Sequence, residues 1–143
     1  MTRPIEKVSI DAVAPNTRRG GDLRVLLSPR TVGATSGFMG AGWLRPGEHI
    51  TEHYHPYSEE FLYLVRGTLV ARIDGEREIT LTAGDALMVP KSIRHRLDNV
   101  GDEEAFFVFH AGPLAPRPEL GHVDTEAVTG TDGVPLVGGG GPR

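Results

Sequence analysis

Apolar and polar residues alternate along most of the chain in short runs, and turn-forming residues separate the runs at intervals of roughly ten residues. Because successive side chains of a strand point to opposite faces, this pattern is typical of strands that bury one face. No long 3.6-residue periodicity interrupts residues 20–112, so the pattern predicts an all-β sandwich or barrel. Besides the strand that carries residues 53–55, we predict strands at residues 23–27, 35–44, 60–65, 68–73, 77–81, 86–90, 95–97 and 105–110.

The two ends of the chain differ from this central part. Residues 1–20 read as a loose N-terminal arm, in which residues 8–10 are a candidate edge strand and residues 15–21 a surface loop. Residues 113–143 form a Pro/Gly-rich C-terminal tail, whose residues 121–126 could dock on the barrel or on a second subunit. From residue 129 onward the tail has too few apolar side chains to pack. We therefore predict one domain, at residues 21–112, with an arm and a tail.

Composition excludes several classes of protein. The 143 residues include 19 Gly and 11 Pro, which suits short strands joined by many turns. The net charge is −4 with no basic run, so nucleic acid is not an expected partner. Without cysteine there are no disulfides and no thiolate metal site. No run of apolar residues is long enough to span a membrane, and we expect a soluble, cytoplasmic protein.

Most of the candidate metal-binding side chains lie between residues 47 and 67. His53 and His55 are two residues apart, so a strand places both imidazoles on one face. Residues 56–58 then suit a chain reversal, and Glu60 begins the following apolar strand. A tight reversal would lay Glu60 opposite the two histidines, within reach of the same ion. The spacing therefore predicts part of a metal site.

A second segment at residues 84–99 supplies His95 and completes a resemblance to the cupin superfamily. The first cupin motif is matched at each defined position, and the second is matched except at Ser92, where the family usually has a glycine. That glycine serves a turn, and the ligand position His95 is untouched. The matching residues are Gly47, His53, His55, Glu60 and Gly67, followed by Gly84, Pro90, His95 and Asn99.

The resemblance implies a double-stranded β-helix, or jelly-roll barrel, with one divalent metal ion. Its ligands would be His53, His55, Glu60 and His95, with open positions for water or substrate, as in a catalytic rather than a structural site. Some relatives use four histidines, so His110 is a candidate fourth ligand or proton shuttle in place of Glu60. The resemblance also implies a homodimer, for which residues 8–10 could be the exchanged strand.

The remaining histidines and aromatic residues are assigned as follows. His49 is four extended residues from His53, so we expect it at the mouth or surface, and we expect His122 to be solvated. Glycines at 37, 40 and 42 either curve their strand or leave room for a ligand. Tyr57, Tyr63 and Trp43 are either stacking residues or core. The interior would be lined by Phe38, Trp43, Leu62, Leu64, Met88, Phe106 and Val108, or by their neighbours of opposite parity.

Three functions remain open. The amino-acid sequence of residues 53–67 and 103–122 resembles that of the small cupin-type cyclases of aromatic polyketide pathways. That likeness implies zinc and a metal-dependent aldol-type ring closure of a poly-β-ketone, which a carrier protein could deliver. The ligand set equally suits Fe²⁺, Mn²⁺ or Ni²⁺, and an iron- or manganese-dependent oxygenase acting on a phenol or quinone is the second candidate. The third is a non-enzymatic cupin that binds a small ligand or supports a synthase.

Overall fold

The protein consists of two five-stranded antiparallel sheets, seen in a computed structural model that describes residues 3–130 and 132–133. The predicted all-β class is confirmed. A short helix α1, Pro29–Val32, is capped by Ser28 and follows the first strand. The strands are β1 Asp22–Leu27, β2 Phe38–Leu44, β3 His49–Tyr54, β4 Glu59–Arg66, β5 Thr68–Ile73, β6 Arg77–Thr82, β7 Ala86–Val89, β8 His95–Asp98, β9 Ala105–Gly112 and β10 Val123–Asp124.

The first sheet has the order β1-β2-β9-β4-β7, and the second has the order β10-β3-β8-β5-β6. Their inner faces meet in one core, because each sheet turns alternate apolar side chains toward the other. Leu44, Leu64 and Phe107 come from the first sheet, and Leu69 and Leu97 from the second, and all five are buried. The two motif segments therefore lie on strands that a common core holds against each other.

The outer face of the first sheet also carries large apolar side chains. Phe61 on β4 is 47% exposed, and its cross-strand neighbour His110 on β9 is exposed as well. Of the residues predicted to line the interior, four lie on this outer face: Trp43, Met88, Phe106 and Val108. For β9 the interior positions are those of opposite parity, Phe107 and Phe109.

Tight turns join the motif strands and require unusual backbone geometry. Gly47, Gly67 and Gly84 all have positive φ angles, between 85° and 98°. Ser92 also has a positive φ, 65°, at the position where the second motif usually has glycine. Its N–H donates to the carbonyl of His55 at 2.9 Å. The serine therefore takes the backbone conformation of the glycine it replaces, and it ties the two motifs together.

The arm and the tail compare with expectation in different ways. Residues 8–10 pair with no strand among the described residues of this chain, and a 3₁₀ helix, Ile10–Ala12, begins at the last of them. Their exchange between two subunits stays a prediction. The tail docks on the barrel as expected: β10 pairs with β3, and the Glu126 carboxylate accepts from the backbone N–H of Glu52 at 2.7 Å. The predicted unpacked segment, residues 129–143, lies mostly outside the described residues. No helix in the described part of the chain is long and apolar enough to cross a membrane.

Candidate metal centre

Three imidazoles and one carboxylate converge at one end of the barrel. β3 and the residue after it supply His53 and His55, β4 supplies Glu60, and β8 begins at His95. One ligand atom from each residue lies within 4.8 Å of the others. Ligand atoms bound at about 2.1 Å lie roughly 3 to 4.2 Å apart, so the four side chains would move slightly closer together around an ion. The structure thus brings together the four residues that the motifs predicted.

Backbone carbonyl groups fix the orientation of all three rings. The Nδ1 atoms of His53, His55 and His95 lie 2.8, 3.0 and 2.9 Å from the carbonyl oxygens of Thr51, Gly121 and Ile93, respectively. A carbonyl oxygen only accepts, so each Nδ1 carries the proton and each Nε2 keeps a lone pair. In metal sites the same arrangement orients imidazoles toward the ion.

The carboxylate of Glu60 faces these lone pairs. Its Oε1 lies 3.2 Å from Nε2 of His55, and its Oε2 lies 3.6 Å from Nε2 of His95. His95 is 2% exposed, and its Nε2 has no hydrogen-bond partner among the described residues. With the Nδ1 atoms protonated, carboxylate oxygen and imidazole nitrogen are both acceptors, so a cation between them would relieve the conflict. This donor set fits a divalent metal ion.

The electrostatics of the cluster favour the protonation states that a metal requires. Burial raises the pKa of Glu60, but the hydrogen bond from His55 and the positive charge of His95, His55 and His53 when they are protonated outweigh burial and hold that pKa well below its usual range. Burial lowers the pKa of His53, and the nearby His95 adds to this effect. Burial also lowers the pKa of His95, although Glu60 opposes it. Neutral imidazoles and an ionised carboxylate are the forms that bind metal without first losing a proton.

The cluster forms part of the wall of a cavity of about 90 Å³ between the two sheets. Most of the wall is apolar, and Phe107 and Phe109 lie against it from β9. A Cβ at Gly42 would lie 2.5 Å from the Phe107 ring, and one at Gly40 would lie 2.7 Å from the Phe109 ring. These two glycines therefore leave room for the packed aromatic rings. The other apolar lining residues are Leu23, Val25, Phe38, Ile50 and Leu97.

Two residues of the cavity wall with ionisable side chains, Arg19 and His122, were not predicted. Arg19 is 7% exposed and lines the cavity, although its sequence neighbourhood reads as a surface loop. His122 also lines it, so the expectation of a solvated His122 is wrong. The Gly121 carbonyl that accepts from His55 fixes the chain next to His122. The only sequence signal for this placement was the expectation that residues 121–126 dock.

The other candidate residues lie elsewhere. His110 is exposed on the outer face of the first sheet, with its ring 6.1 Å from that of Phe61. It does not face the cavity, so the prediction of an inward His110 as fourth ligand or proton shuttle is wrong. His49 pairs with Asp98 and is not part of the cluster, as expected. Tyr57 and Tyr63 are exposed, and Trp43 packs on Phe106 outside the cavity.

Comparison with known proteins identifies the family. The family model for a cupin domain matches residues 44–111, which contain both motifs. Polyketide synthase CurC of Streptomyces cyaneus is 60% identical over 133 residues, which cover 91% of this chain and 86% of that protein. The chain belongs to the cupin family.

Two further similarities add detail to this cupin. It is 52% identical to the tetracenomycin polyketide synthase protein TcmJ of Streptomyces glaucescens, over 94% of this chain and 89% of that protein. Its fold matches a conserved protein with a double-stranded β-helix domain from Klebsiella pneumoniae, with a TM-score of 0.68 and 20% identity. That match covers 86% of this chain and 99% of the other. The predicted jelly-roll fold is thereby confirmed.

Proposed function

We propose that this cupin is a metal-dependent cyclase of aromatic polyketide biosynthesis, which closes a ring of a poly-β-ketone by an intramolecular aldol reaction. One observation carries the proposal: three imidazole lone pairs and an ionised carboxylate converge at the wall of an apolar cavity. The relatives named as polyketide synthase proteins support the pathway, because they match nearly the whole chain. A cavity with apolar walls and few polar groups suits a carbon chain that bears isolated ketones.

His53, His55, His95 and Glu60 would hold the ion, and we propose zinc because aldol closure needs no change of oxidation state. A divalent ion there would act as a Lewis acid, polarising a ketone and acidifying the neighbouring C–H group. The backbone carbonyls of Thr51, Gly121 and Ile93 keep the rings aligned for this role. The apolar wall excludes water that would otherwise compete for the same positions.

Ring closure also needs a group that moves a proton, and we assign it to His122. Burial, with help from Arg19, lowers the pKa of His122 to about 4, so its imidazole is uncharged at neutral pH. It accepts a proton from a methylene group between two ketones, and the resulting enolate carbon bonds to a second ketone carbon. The imidazolium then returns the proton to the new alkoxide oxygen. Because His122 is a weak base, its conjugate acid is a strong donor for this step and for the later loss of water.

The size of the cavity limits how the substrate is held. Its volume of about 90 Å³ is smaller than the roughly 300–1,000 Å³ of typical ligand pockets. It has room for the ring-forming part of the chain only, so the remainder of the substrate must lie outside the cavity. Such a remainder is compatible with delivery by a carrier protein. Delivery of the substrate by a carrier protein, the homodimer and the cytoplasmic location stay predictions.

The test is a reconstituted reaction. A minimal polyketide synthase is run with purified wild-type protein of measured metal content, or with His53→Ala or His110→Ala, and the products are resolved by liquid chromatography and mass spectrometry. We expect the wild type and His110→Ala to shift the products to one cyclised aromatic compound, and His53→Ala to leave the mixture that forms spontaneously.

Two results would contradict the cyclase. Bound iron with oxygen-dependent turnover would establish the oxygenase instead. A folded, metal-free His53→Ala protein that still shifts the products to the one cyclised compound would establish a supporting role without catalysis.

A further inference from the structure

Arg19 is a buried cation beside the cluster. Its own carbonyl accepts from the N–H of Thr51 at 2.9 Å, so the loop before β1 runs along β3. The Arg19 side chain is 7% exposed and lines the same cavity as His53 and Glu60. A guanidinium group stays protonated in proteins, so the cavity has a permanent positive charge in its wall.

The hydrogen bonds of Arg19 are incomplete. Its Nε donates to Oδ1 of Asp124 at 2.9 Å. The other oxygen of Asp124 accepts from Nη2 of Arg18 at 3.0 Å, so one carboxylate serves two guanidinium groups. The Nη2 of Arg19 is buried and has no hydrogen-bond partner among the described residues. An unpaired buried donor on a charged group is costly, and a ligand oxygen would remove that cost.

We propose that Arg19 is an oxyanion-binding residue, which donates from Nη2 to an enolate or ketone oxygen of the ligand in the cavity. This inference rests on the proposed function, since a poly-β-ketone carries such oxygens at every second carbon. Asp124 positions the guanidinium through Nε and leaves Nη2 for the ligand. Arg19 thereby selects a chain whose oxygen lies beside the cluster, and it favours the enolate over the neutral ketone because only the enolate is charged.

Binding of small diketones tests the role without any cyclisation assay. The probe is benzoylacetone, a β-diketone that forms an enolate, and the reference is 4-phenyl-2-butanone, a monoketone with the same phenyl group. Affinities are measured by calorimetry for wild type, Arg19→Gln, Arg19→Lys and Arg18→Gln. Arg18→Gln is the matched control, because Arg18 binds the same Asp124 but does not line the cavity. Metal content and circular dichroism are recorded for each protein.

We expect Arg19→Gln to weaken benzoylacetone binding by about 10- to 100-fold, the loss typical of a hydrogen bond to a charged group. Monoketone binding should change by less than about threefold, as should both affinities of Arg18→Gln. Arg19→Lys keeps the charge without the planar fork and should lie between. If Arg19→Gln does not fold, the comparison of Arg19→Lys with Arg18→Gln decides.

Three results would overturn the inference: unchanged diketone binding by the Arg19 variants, an equal loss in Arg18→Gln, or a wild type that does not prefer the diketone. None of these results would contradict the proposed cyclase activity, because its test measures the structures of the products. Conversely, a failed cyclase test with an intact Arg19 effect would leave an oxyanion-binding residue in a cupin that performs another reaction.

Discussion

Nε2 of His95 and Oε2 of Glu60 lie 3.6 Å apart, both in the buried cluster, and no hydrogen bond joins them. The Nδ1 proton of His95 is committed to the carbonyl of Ile93, so the atom that faces Glu60 is a lone pair. Two buried acceptors facing each other are unfavourable unless a cation lies between them. The pair is therefore arranged for a metal ion rather than for its own contact.

Removing His95 tests this arrangement. We expect wild-type protein to bind one divalent ion per chain and His95→Ala to bind it at least about 100-fold more weakly, since loss even of an outer-shell partner costs about 10- to 100-fold. Elemental analysis and competition with a chelator measure both. His110→Ala is the matched control and should bind metal as the wild type does, because His110 lies on the outer face. Equal metal affinity in a folded His95→Ala protein would refute the site.

Acidification should destabilise the metal-free protein. The pKa values of His53, His95 and His122 are lowered by folding, and that of His122 falls from 6.5 to about 4. Between pH 6.5 and about 4 the unfolded chain therefore binds protons that the folded chain does not, so the free energy of unfolding falls as the pH falls. Glu60 extends the loss below pH 4.5, because its pKa is also lowered.

Denaturant titrations of chelator-treated protein at pH 7, 6, 5 and 4 measure this loss. Each histidine that stays uncharged contributes a slope of about 1.4 kcal/mol per pH unit. His122→Asn should reduce the slope between pH 6 and 5 by about the contribution of one histidine, 1.4 kcal/mol per pH unit. A free energy of unfolding that is flat from pH 7 to 5 would show that these imidazoles titrate normally.

Gly42 links the packing of β2 to the shape of the cavity. A methyl group there would lie 2.5 Å from both the Leu23 side chain and the Phe107 ring, so one of them must move. We expect Gly42→Ala to lower the free energy of unfolding by about 1–3 kcal/mol, as overpacked cores do. Gly133→Ala is the control, because its added methyl group meets no atom of the described residues within 4 Å. Equal stability of the two variants would mean that the aromatic wall has room to relax.

The sequence predicted the cluster of histidines and Glu60 because most of these residues lie close together along the chain. His53 and His55 share strand parity, and a short turn returns Glu60 to them, so spacing alone brings three of the four residues together. A bulge between Ile50 and His53 shifts the register of β3, and it leaves that spacing intact.

The facing of β9 could not be predicted in the same way. Both of its faces are apolar, since one carries Phe107 and Phe109 and the other Phe106 and Val108. A two-residue period then has no polar side to mark the outside, so the face on which His110 lies could not be decided from the sequence.

Arg19 and His122 were missed because long-range contacts place them. Arg19 depends on the carbonyl contact to Thr51 and on Asp124, which pairs with His53 across β10 and β3. Neither contact has a pattern in the sequence near Arg19. A loop rich in Gly and Arg reads as surface until the strand that covers it is known.

A substitution at His122 tests proton transfer separately from metal binding. If it moves the proton during ring closure, His122→Asn should slow turnover by about 100-fold or more while metal content and stability at pH 7 stay unchanged. His110→Asn is the matched control, the same substitution at a histidine outside the cavity, and should turn over as the wild type does. Single-turnover rates from the reconstituted synthase measure the effect, and elemental analysis of the same samples measures the metal. Normal turnover by His122→Asn would refute the assignment of proton transfer to His122.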